Sequence, residues 1–349
     1  MVSNHVDSLD MLGAALGLAE QVERAAASSW AVDGLPSGDG VTSVLVAGMG
    51  GSGIGGDAAA ALLVGSSPVP IVVSKHYECP GFVGPDTLVF ANSFSGNTEE
   101  TLSTVSRAAE RNARIVVVAS GGQLVDLAER VGAPVVPVDP AIPMPRAGIG
   151  AVTVPLLVVL ERLGLASGVE DTVEAAVRQL RRRRDELAPG VDDSASRLAR
   201  RIGRTIPLVY GGGPLGEVAA WRWKGQFNEN CKVPSWCNRI PELTHNELCG
   251  WAQHGDVTRQ VFTLLFLRHD HEPGNVDRRF EFVAESCDEV VAGIETVTAE
   301  GDSAMAQLFD LVLQGDLVSL RMSFNEGVDP GPIDILDQLK SSLSSRSRG

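Results

Sequence analysis

Two loops in the N-terminal half combine glycine with hydroxyl side chains, a chemistry suited to binding a phosphate group. Residues 48–57 read GMGGSGIGGD and residues 92–101 read NSFSGNTEET, and each segment directly follows a short apolar run. Ser93, Ser95 and Thr98 place three hydroxyls beside the first turn of a predicted helix, whose free N–H groups attract anions. A helix cap needs only one such residue. The cluster therefore predicts a phosphate site.

The first loop also fits the dinucleotide-binding pattern GxGxxG, at Gly48, Gly50 and Gly53. That type of site requires an acidic side chain at the end of the next strand, where it binds the ribose. The next apolar run ends at residues 74–76, Ser-Lys-His, and offers no carboxylate. The nucleotide interpretation is therefore the weaker one, and we expect the loop to bind an anion through its backbone N–H groups.

The segment from Trp221 to Trp251 is rich in both polar and aromatic side chains. Its charged and amide residues include Glu229, Lys232, Arg239, Glu242, His245, Asn246 and Glu247. Glu242 and His245 have a spacing used for metal ligands on helices. However, Pro241 argues against a regular helix there, and no other His or Cys lies at ligand spacing. A carboxylate acting as base with an imidazole as second proton carrier is the preferred interpretation.

The overall composition indicates a folded protein of about two domains. The chain has 349 residues, of which 44% are hydrophobic, and a net charge of −15. This balance excludes disorder for most of the chain and argues against nucleic acid or an anionic membrane as partner. Five cysteines without a CxxC pair indicate reduced thiols in the cytoplasm. The first 18 residues lack a basic segment, so no signal peptide is expected, and no apolar run is long enough to span a membrane.

Short β-branched runs alternate with helical periodicity, which is typical of parallel sheets covered by helices. Five such runs are predicted strands in the N-terminal half: 43–47, 70–74, 87–92, 114–119 and 134–138. Residues 151–203 are predicted to be helical, with a break near Pro189 and Gly190. A second series has predicted strands at 206–210, 259–267 and 289–297. The predicted fold is α/β, with two doubly wound parallel-sheet domains at 1–155 and 204–349, joined by a helical connection at 156–203.

The loop motifs, the sequence PRAGIG at 145–150 and the segment WKGQFNENCKVPSW…ELTHNELCGW together resemble the bifunctional phosphoglucose/phosphomannose isomerases. Members of that family are built from two sugar isomerase (SIS) domains with five-stranded parallel sheets. The resemblance covers most of the chain. It implies a homodimer with a shared active site, sugar 6-phosphates as substrates, and no metal or other cofactor.

The resemblance also implies a role for each site residue. The phosphate would be held by Ser52, Ser93, Ser95 and Thr98, with the backbone of Gly50 and Gly51 lining the first loop. Glu229 would be the base that moves a proton between C2 and C1, and Arg146 would stabilise the enediolate. His245 from the partner subunit and Lys340 would open the sugar ring. Ile333 departs from the pattern, because enzymes with both activities have Thr there, and this puts the use of mannose 6-phosphate in question.

This set of residues fits the chemistry of aldose–ketose isomerisation, which removes a weakly acidic proton next to a carbonyl. The reaction needs a carboxylate base and a fixed cation where negative charge grows on oxygen. The leading hypothesis is a metal-independent isomerase that interconverts glucose 6-phosphate, mannose 6-phosphate or both with fructose 6-phosphate. The alternative is a regulatory protein that binds sugar phosphates without turnover, but such proteins lack the carboxylate base that Glu229 supplies.

Overall fold

A parallel sheet of five strands forms the centre of the N-terminal half. The computed structural model describes residues 6–187 and 193–346, except for the side chains of residues 340 and 344–346. The strands are β1 (Ser43–Ala47), β2 (Ile71–Ser74), β3 (Thr87–Asn92), β4 (Arg114–Ala119) and β5 (Val135–Pro137). Their order is β2-β1-β3-β4-β5, and all neighbours are parallel. Every residue of β3 is buried, as expected for a central strand covered on both faces.

Helices cover both faces of this sheet and continue into the second half of the chain. They are α1 (Met11–Leu16), α2 (Leu18–Trp30), α3 (Gly50–Leu63), α4 (Glu99–Glu110), α5 (Gln123–Val131) and α6 (Ile149–Arg162). A 3₁₀ turn, Pro145–Ala147, precedes α6. The predicted helical connection contains α7 (Val169–Glu186) and α8 (Ser194–Ile202), and the predicted break at Pro189 and Gly190 lies outside the described residues.

The second sheet is also parallel but has four strands within the described residues, not the five that the resemblance implied. They are β6 (Ile206–Gly212), β7 (Trp236–Ile240), β8 (Phe262–Arg268) and β9 (Gly293–Thr298), in the order β7-β6-β8-β9. The accompanying helices are α9 (Gly213–Glu229), α10 (Gly255–Val261), α11 (Val276–Cys287), α12 (Ala304–Asn325) and α13 (Asp334–Arg346). After β9 the chain passes into the long buried helix α12 without forming another strand. Two parallel sheets covered by helices confirm the predicted fold class.

One continuous core connects the two sheets. It includes side chains of β1 and β4, such as Val44 and Val116, and of β8, such as Leu265. Helix α6 is buried over the ten residues Ala151–Leu160, of which only Thr153 is polar, because it packs against α2, α3 and α7. Helix α12 packs against α7, α8 and α9 in the same way. None of the described helices is both long and apolar enough to cross a membrane.

The run of four arginines at 181–184 is only partly exposed to solvent. Arg183 is buried, and its Nε lies 2.8 Å from the Oδ1 of Asp310 on α12. Arg182 and Arg184 pair with Glu300 at 2.6 Å and with Glu20 at 2.9 Å. These ion pairs join α7 to α2 and to the start of α12, so the run contributes to packing between helices.

A second buried ion pair joins α9 to α12 next to the end of α9. The guanidinium of Arg222 binds both carboxylate oxygens of Asp316 at 2.8–2.9 Å, and Gln226 donates to the same carboxylate at 2.8 Å. Burial raises the pKa of the Asp316 carboxyl, and the charge of Arg222 opposes this shift. The pair fixes the helix that ends at Glu229.

We predict that Asp316→Ala lowers the free energy of unfolding by about 3–5 kcal/mol, because it leaves the charge of Arg222 buried without a partner. The matched control is Glu174→Ala, which removes an exposed pair with Arg178 and should cost no more than about 1 kcal/mol. Urea denaturation followed by circular dichroism measures both changes. Equal losses in the two variants would contradict the structural role of the buried pair.

Candidate active site

The two glycine and hydroxyl loops lie side by side at the carboxyl edge of the first sheet. They follow β1 and β3, which are neighbours in the strand order β2-β1-β3-β4-β5. This is the topological switch point, where successive connections leave the sheet on opposite faces and open a crevice for ligands. The Asn92 side chain at the end of β3 donates to the carbonyls of Ser52 and Val152, at 2.9 and 3.0 Å. It thereby holds the two loops and α6 together.

Hydrogen bonds connect the Ser93 and Thr98 hydroxyls to each other and the Ser52 hydroxyl to the backbone of the second loop. The Oγ of Ser93 lies 2.9 Å from the Oγ1 of Thr98, and the N–H of Phe94 donates to the Oγ of Ser52 at 3.0 Å. Ser52 and Ser93 are buried, whereas Ser95 is exposed. Thr98 is the N-cap residue of α4, yet its side chain makes no capping hydrogen bond. The first N–H groups of α4 are therefore not capped by Thr98 and are available to an anion.

Gly51 allows the start of α3 to approach the turn that carries Arg146, and Gly50 provides the backbone conformation just before Gly51. Gly50 has a φ of +51°, in the left-handed region that favours glycine. A Cβ on Gly51 would lie 3.0 Å from the carbonyl oxygen of Pro145. A Cβ on Gly148, just after the same turn, would lie 3.1 Å from the ring of Phe94 in the second loop. Both loops thus contact the Arg146 segment.

Arg146 is a buried cation held by two separate segments of the chain, residues 229–230 and 330–331. Its Nε donates to the Oδ1 of Asn230 at 3.0 Å, and its Nη2 donates to the carbonyls of Pro330 and Gly331 at 2.6 and 2.8 Å. Its Nη1 lies 3.5 Å from the carboxylate of Glu229. The structure therefore brings together two residues that lie 83 positions apart, beside the two phosphate-type loops.

The electrostatics of this pair suit a base next to a fixed positive charge. Burial lowers the pKa of the Arg146 guanidinium, and the charge of Glu229 opposes that shift, but arginine remains protonated in proteins. The Arg146 side chain is 3% exposed and that of Glu229 is 34% exposed. The carboxylate is thus open to a ligand while the cation lies beneath it.

Lys232 adds a second cation at the end of α9. Its Nζ donates to the carbonyl of Glu229 and to that of Pro330, the latter at 3.4 Å. Burial and the nearby charge of Arg146 lower the pKa of Lys232. Arg146 and Lys232 thus share one backbone carbonyl, which fixes the turn before α13 to the end of α9.

His245 does not join this cluster within one chain. It ends a 3₁₀ helix, Glu242–His245, and is exposed. The residues on either side of it form hydrogen bonds outside the Arg146 cluster. The hydroxyl of Thr244 donates to the carbonyl of Pro241 and accepts from Arg279, and Asn246 donates to Glu242 at 3.1 Å. The loop as a whole is fixed by Glu247, whose carboxylate accepts from Tyr210 and from Asn238.

The remaining predicted residues lie near the C-terminus. Lys340 belongs to α13, but its side chain lies outside the described part of the chain. Ile333 immediately precedes α13 and is half-buried. The described residues contain no group of three or more His, Cys, Asp or Glu that could hold a metal ion. All five cysteines are free thiols.

Several contributors to the site were not singled out from the sequence. Asn230 and the carbonyls of Pro330 and Gly331 hold Arg146, and Ser319 on α12 bonds to Asn230 at 3.0 Å. Asn230 lies next to the predicted base, so its position could have suggested a role. The two carbonyls and the serine of the buried helix α12 carry no signal in the sequence, because only the folded chain brings them close to Arg146 and Asn230.

Comparison with known proteins places the chain among sugar-phosphate enzymes. A family model for the bacterial phospho-glucose isomerase C-terminal SIS domain matches residues 191–343. The bifunctional phosphoglucose/phosphomannose isomerase of Caldicellulosiruptor bescii is 33% identical over 339 residues, covering 96% of this chain and 99% of the relative. The protein of the same description from Aquifex aeolicus is 33% identical over 305 residues, covering 87% and 91%.

Among solved structures, the C-terminal domain of glucosamine-fructose-6-phosphate aminotransferase from Francisella tularensis has the same fold. It superposes with a TM-score of 0.70 and covers 92% of this chain and 98% of that domain. The identity is 14%, so this likeness concerns the fold alone.

We predict that replacing Ser95 and Thr98 together by Ala weakens binding of a phosphate ester at least about 10-fold. Each hydrogen bond to a charged group contributes roughly 1.5–3 kcal/mol. Titration calorimetry with a six-carbon alditol 6-phosphate measures the affinity. The control is Ser103→Ala, which removes a hydroxyl of α4 that bonds to the carbonyl of Tyr77. Unchanged affinity in the double variant would show that the loop is not the phosphate site.

Proposed function

The chain belongs to the family of bifunctional phosphoglucose/phosphomannose isomerases, and from that premise we propose that it interconverts an aldose 6-phosphate with fructose 6-phosphate. The aldose is glucose 6-phosphate, mannose 6-phosphate or both. The observation that carries the proposal is the pairing of Glu229 with the buried Arg146 directly beside the two hydroxyl loops. This arrangement provides a base and a cation at one end of a sugar and a phosphate site at the other.

In the proposed reaction the phosphate holds the substrate far from the reacting carbons. Ser52, Ser93, Ser95 and Thr98 bind its oxygens, together with the first N–H groups of α4. The binding energy of this remote group orients C1 and C2 toward Glu229. These four side chains lie in the loops that follow β1 and β3 and at the start of α4. The phosphate would therefore be held at a fixed position relative to Arg146.

The proton transfer is assigned to the Glu229 carboxylate. It removes the proton from C2 of the open aldose, the electron pair forms the C1–C2 double bond, and negative charge develops on the C1 oxygen. The Arg146 guanidinium stabilises that charge. Glu229 then returns a proton to C1, the C2 hydroxyl proton passes to the C1 oxygen, and C2 becomes the carbonyl carbon of the ketose. No other reactant is consumed.

Ring opening requires a further donor and acceptor at the ring oxygen, and we assign it to His245 and Lys340. Within one chain His245 is exposed and makes no described contact with Arg146 or Glu229. This placement favours a homodimer in which the His245 loop of one copy reaches the site of the other. The fixed geometry of the loop around Glu247 supports such a role, since an exposed imidazole must be presented in one orientation.

The alternative, a regulatory protein that binds sugar phosphates without turnover, is disfavoured by the same pair. A binding protein has no need for a carboxylate beside a buried cation, because the carboxylate repels the anionic ligand. We also propose that the protein acts in the cytoplasm, where its five free thiols would remain reduced. The aliphatic side chain of Ile333 cannot hydrogen-bond to a C1 or C2 hydroxyl, so it supplies no polar contact that would support the use of mannose 6-phosphate.

We predict that Glu229→Gln lowers kcat for both directions by about 10²–10⁴-fold, the usual cost of losing a general base. The fold should persist, because Arg146 keeps its acceptors on Asn230, Pro330 and Gly331. Coupled assays with glucose 6-phosphate and mannose 6-phosphate measure the rates. The control is Glu217→Gln on the same helix, where the carboxylate pairs with Arg239. Wild-type rates in Glu229→Gln would refute the proposed role.

A further inference from the structure

We propose that Asn230 is a positioning residue that keeps the Arg146 guanidinium both fixed and net positive, and that Ser319 sets the orientation of its amide. The proposal rests on the function proposed above, since it concerns the cation assigned to the enediolate. Asn230 follows Glu229 directly, so two successive residues contact the same guanidinium, one with a charge and one with a neutral amide oxygen.

The orientation of the Asn230 amide follows from the hydrogen bonds of Ser319. The hydroxyl of Ser319 donates to the carbonyl of Asp316 at 2.8 Å, so its oxygen is left to accept. The Nδ2 of Asn230 donates to that oxygen at 3.0 Å. The other end of the amide, Oδ1, is thereby turned toward the Nε of Arg146, which can only donate.

Because the guanidinium is buried, its N–H donors must be paired with acceptors of the protein. Asn230 and Ser319 are fully buried, and Arg146 is almost so. Water cannot supply a missing partner at such positions without opening the core, and a buried donor left unpaired costs its full desolvation. Asn230 and the carbonyls of Pro330 and Gly331 therefore together determine the plane of the Arg146 guanidinium.

The neutrality of Asn230 matters for the charge at the site. The charged groups that act on Arg146 are Glu229, Arg222 and Asp316, and Lys232 lies beside Glu229. Asp316 is already paired with Arg222, so among the described residues Glu229 is the carboxylate that pairs with Arg146. Arg146, Lys232 and Glu229 carry a net charge of +1, and an aspartate at position 230 would reduce that sum to zero, whereas the neutral asparagine leaves it unchanged.

The central test is Asn230→Asp, which keeps the shape and the acceptor for Nε but adds a charge. We expect kcat to fall roughly 10- to 100-fold, the range for altered hydrogen bonds to charged groups. Two inhibitors then separate charge from structure. A five-carbon aldonic acid 5-phosphate carries a carboxylate where the enediolate forms, and a six-carbon alditol 6-phosphate is neutral there. The variant should lose about 10-fold or more affinity for the aldonate and little for the alditol.

The matched control for this variant is Asn228→Asp, the same chemical change two residues earlier. Asn228 bonds to the carbonyl of Val233 and not to Arg146, so the ratio of the two inhibitor affinities should stay as in the wild type. An unchanged ratio and kcat in Asn230→Asp would overturn the proposal. Equal loss of affinity for both inhibitors would overturn it as well, because that result indicates a general distortion of the pocket.

A second pair of variants tests the orientation without adding charge, and serves if Asn230→Asp does not fold. Ser319→Ala removes the hydroxyl that holds the amide, and Ser323→Ala removes a buried hydroxyl one turn later that donates to Leu320 at 2.8 Å, also three residues back. Both should lose similar stability, but only Ser319→Ala should lower kcat, by about 2- to 10-fold. Equal kcat values in the two variants would overturn the role of Ser319.

Arg146→Gln distinguishes failure of this inference from failure of the proposed function. If Arg146→Gln abolishes turnover and the preference for the aldonate while Asn230→Asp behaves as wild type, the role of Asn230 is wrong and the proposed function stands. If Arg146→Gln retains both, the assignment of Arg146 to the enediolate is wrong, and the inference falls with it.

Discussion

The buried guanidinium of Arg146 is the interaction on which the site depends, because it joins three parts of the chain that are distant in sequence. The turn that carries it contacts the phosphate-type loops through Gly51 and Gly148. Its donors reach the end of α9 and the carbonyls of Pro330 and Gly331 before α13. A cation in this position needs several acceptors to offset its desolvation. The same acceptors fix the end of α9, Arg146 and the segment before α13 relative to one another.

The two sheets are similar in topology, yet only the first presents hydroxyls at its switch point. In the second sheet the loop after β8 folds back, and the carboxylate of Glu272 lies against Gly212, where a Cβ would be 3.0 Å from it. Glu272 accepts from Arg268 at 2.9 Å and from the N–H of His269 at 3.2 Å. The carboxylate of Glu272 thus already accepts the hydrogen bonds that Arg268 and the N–H of His269 could otherwise donate to an anion. The second sheet instead contributes α9, whose end carries Glu229 and Asn230.

Local sequence was sufficient to predict the first sheet and the loops, but not the contacts that complete the site. The five strands of that sheet are short β-branched runs between glycine and helix signals, so their pattern is unambiguous. Strand β7 was missed because it is a half-exposed edge strand within a polar segment. The roles of Glu229 and Arg146 came from resemblance to a family, whereas their pairing, the backbone carbonyls and Ser319 depend on packing between helices far apart in sequence. The burial of Arg183 also depends on packing between helices. The run of charged residues around it would by itself suggest a side chain exposed to solvent.

The central claim is that a proton is removed from C2 by Glu229 and returned to C1 through an enediolate, and isomerisation in D₂O tests it most directly. A carboxylic acid proton exchanges with solvent during the lifetime of the enediolate, so the account predicts deuterium at C1 of fructose 6-phosphate formed from the aldose, and at C2 of the aldose formed in reverse. Mass spectrometry and proton NMR of the products measure it. Complete retention of the substrate hydrogen over many turnovers would contradict the account, because it indicates direct hydride transfer between the two carbons.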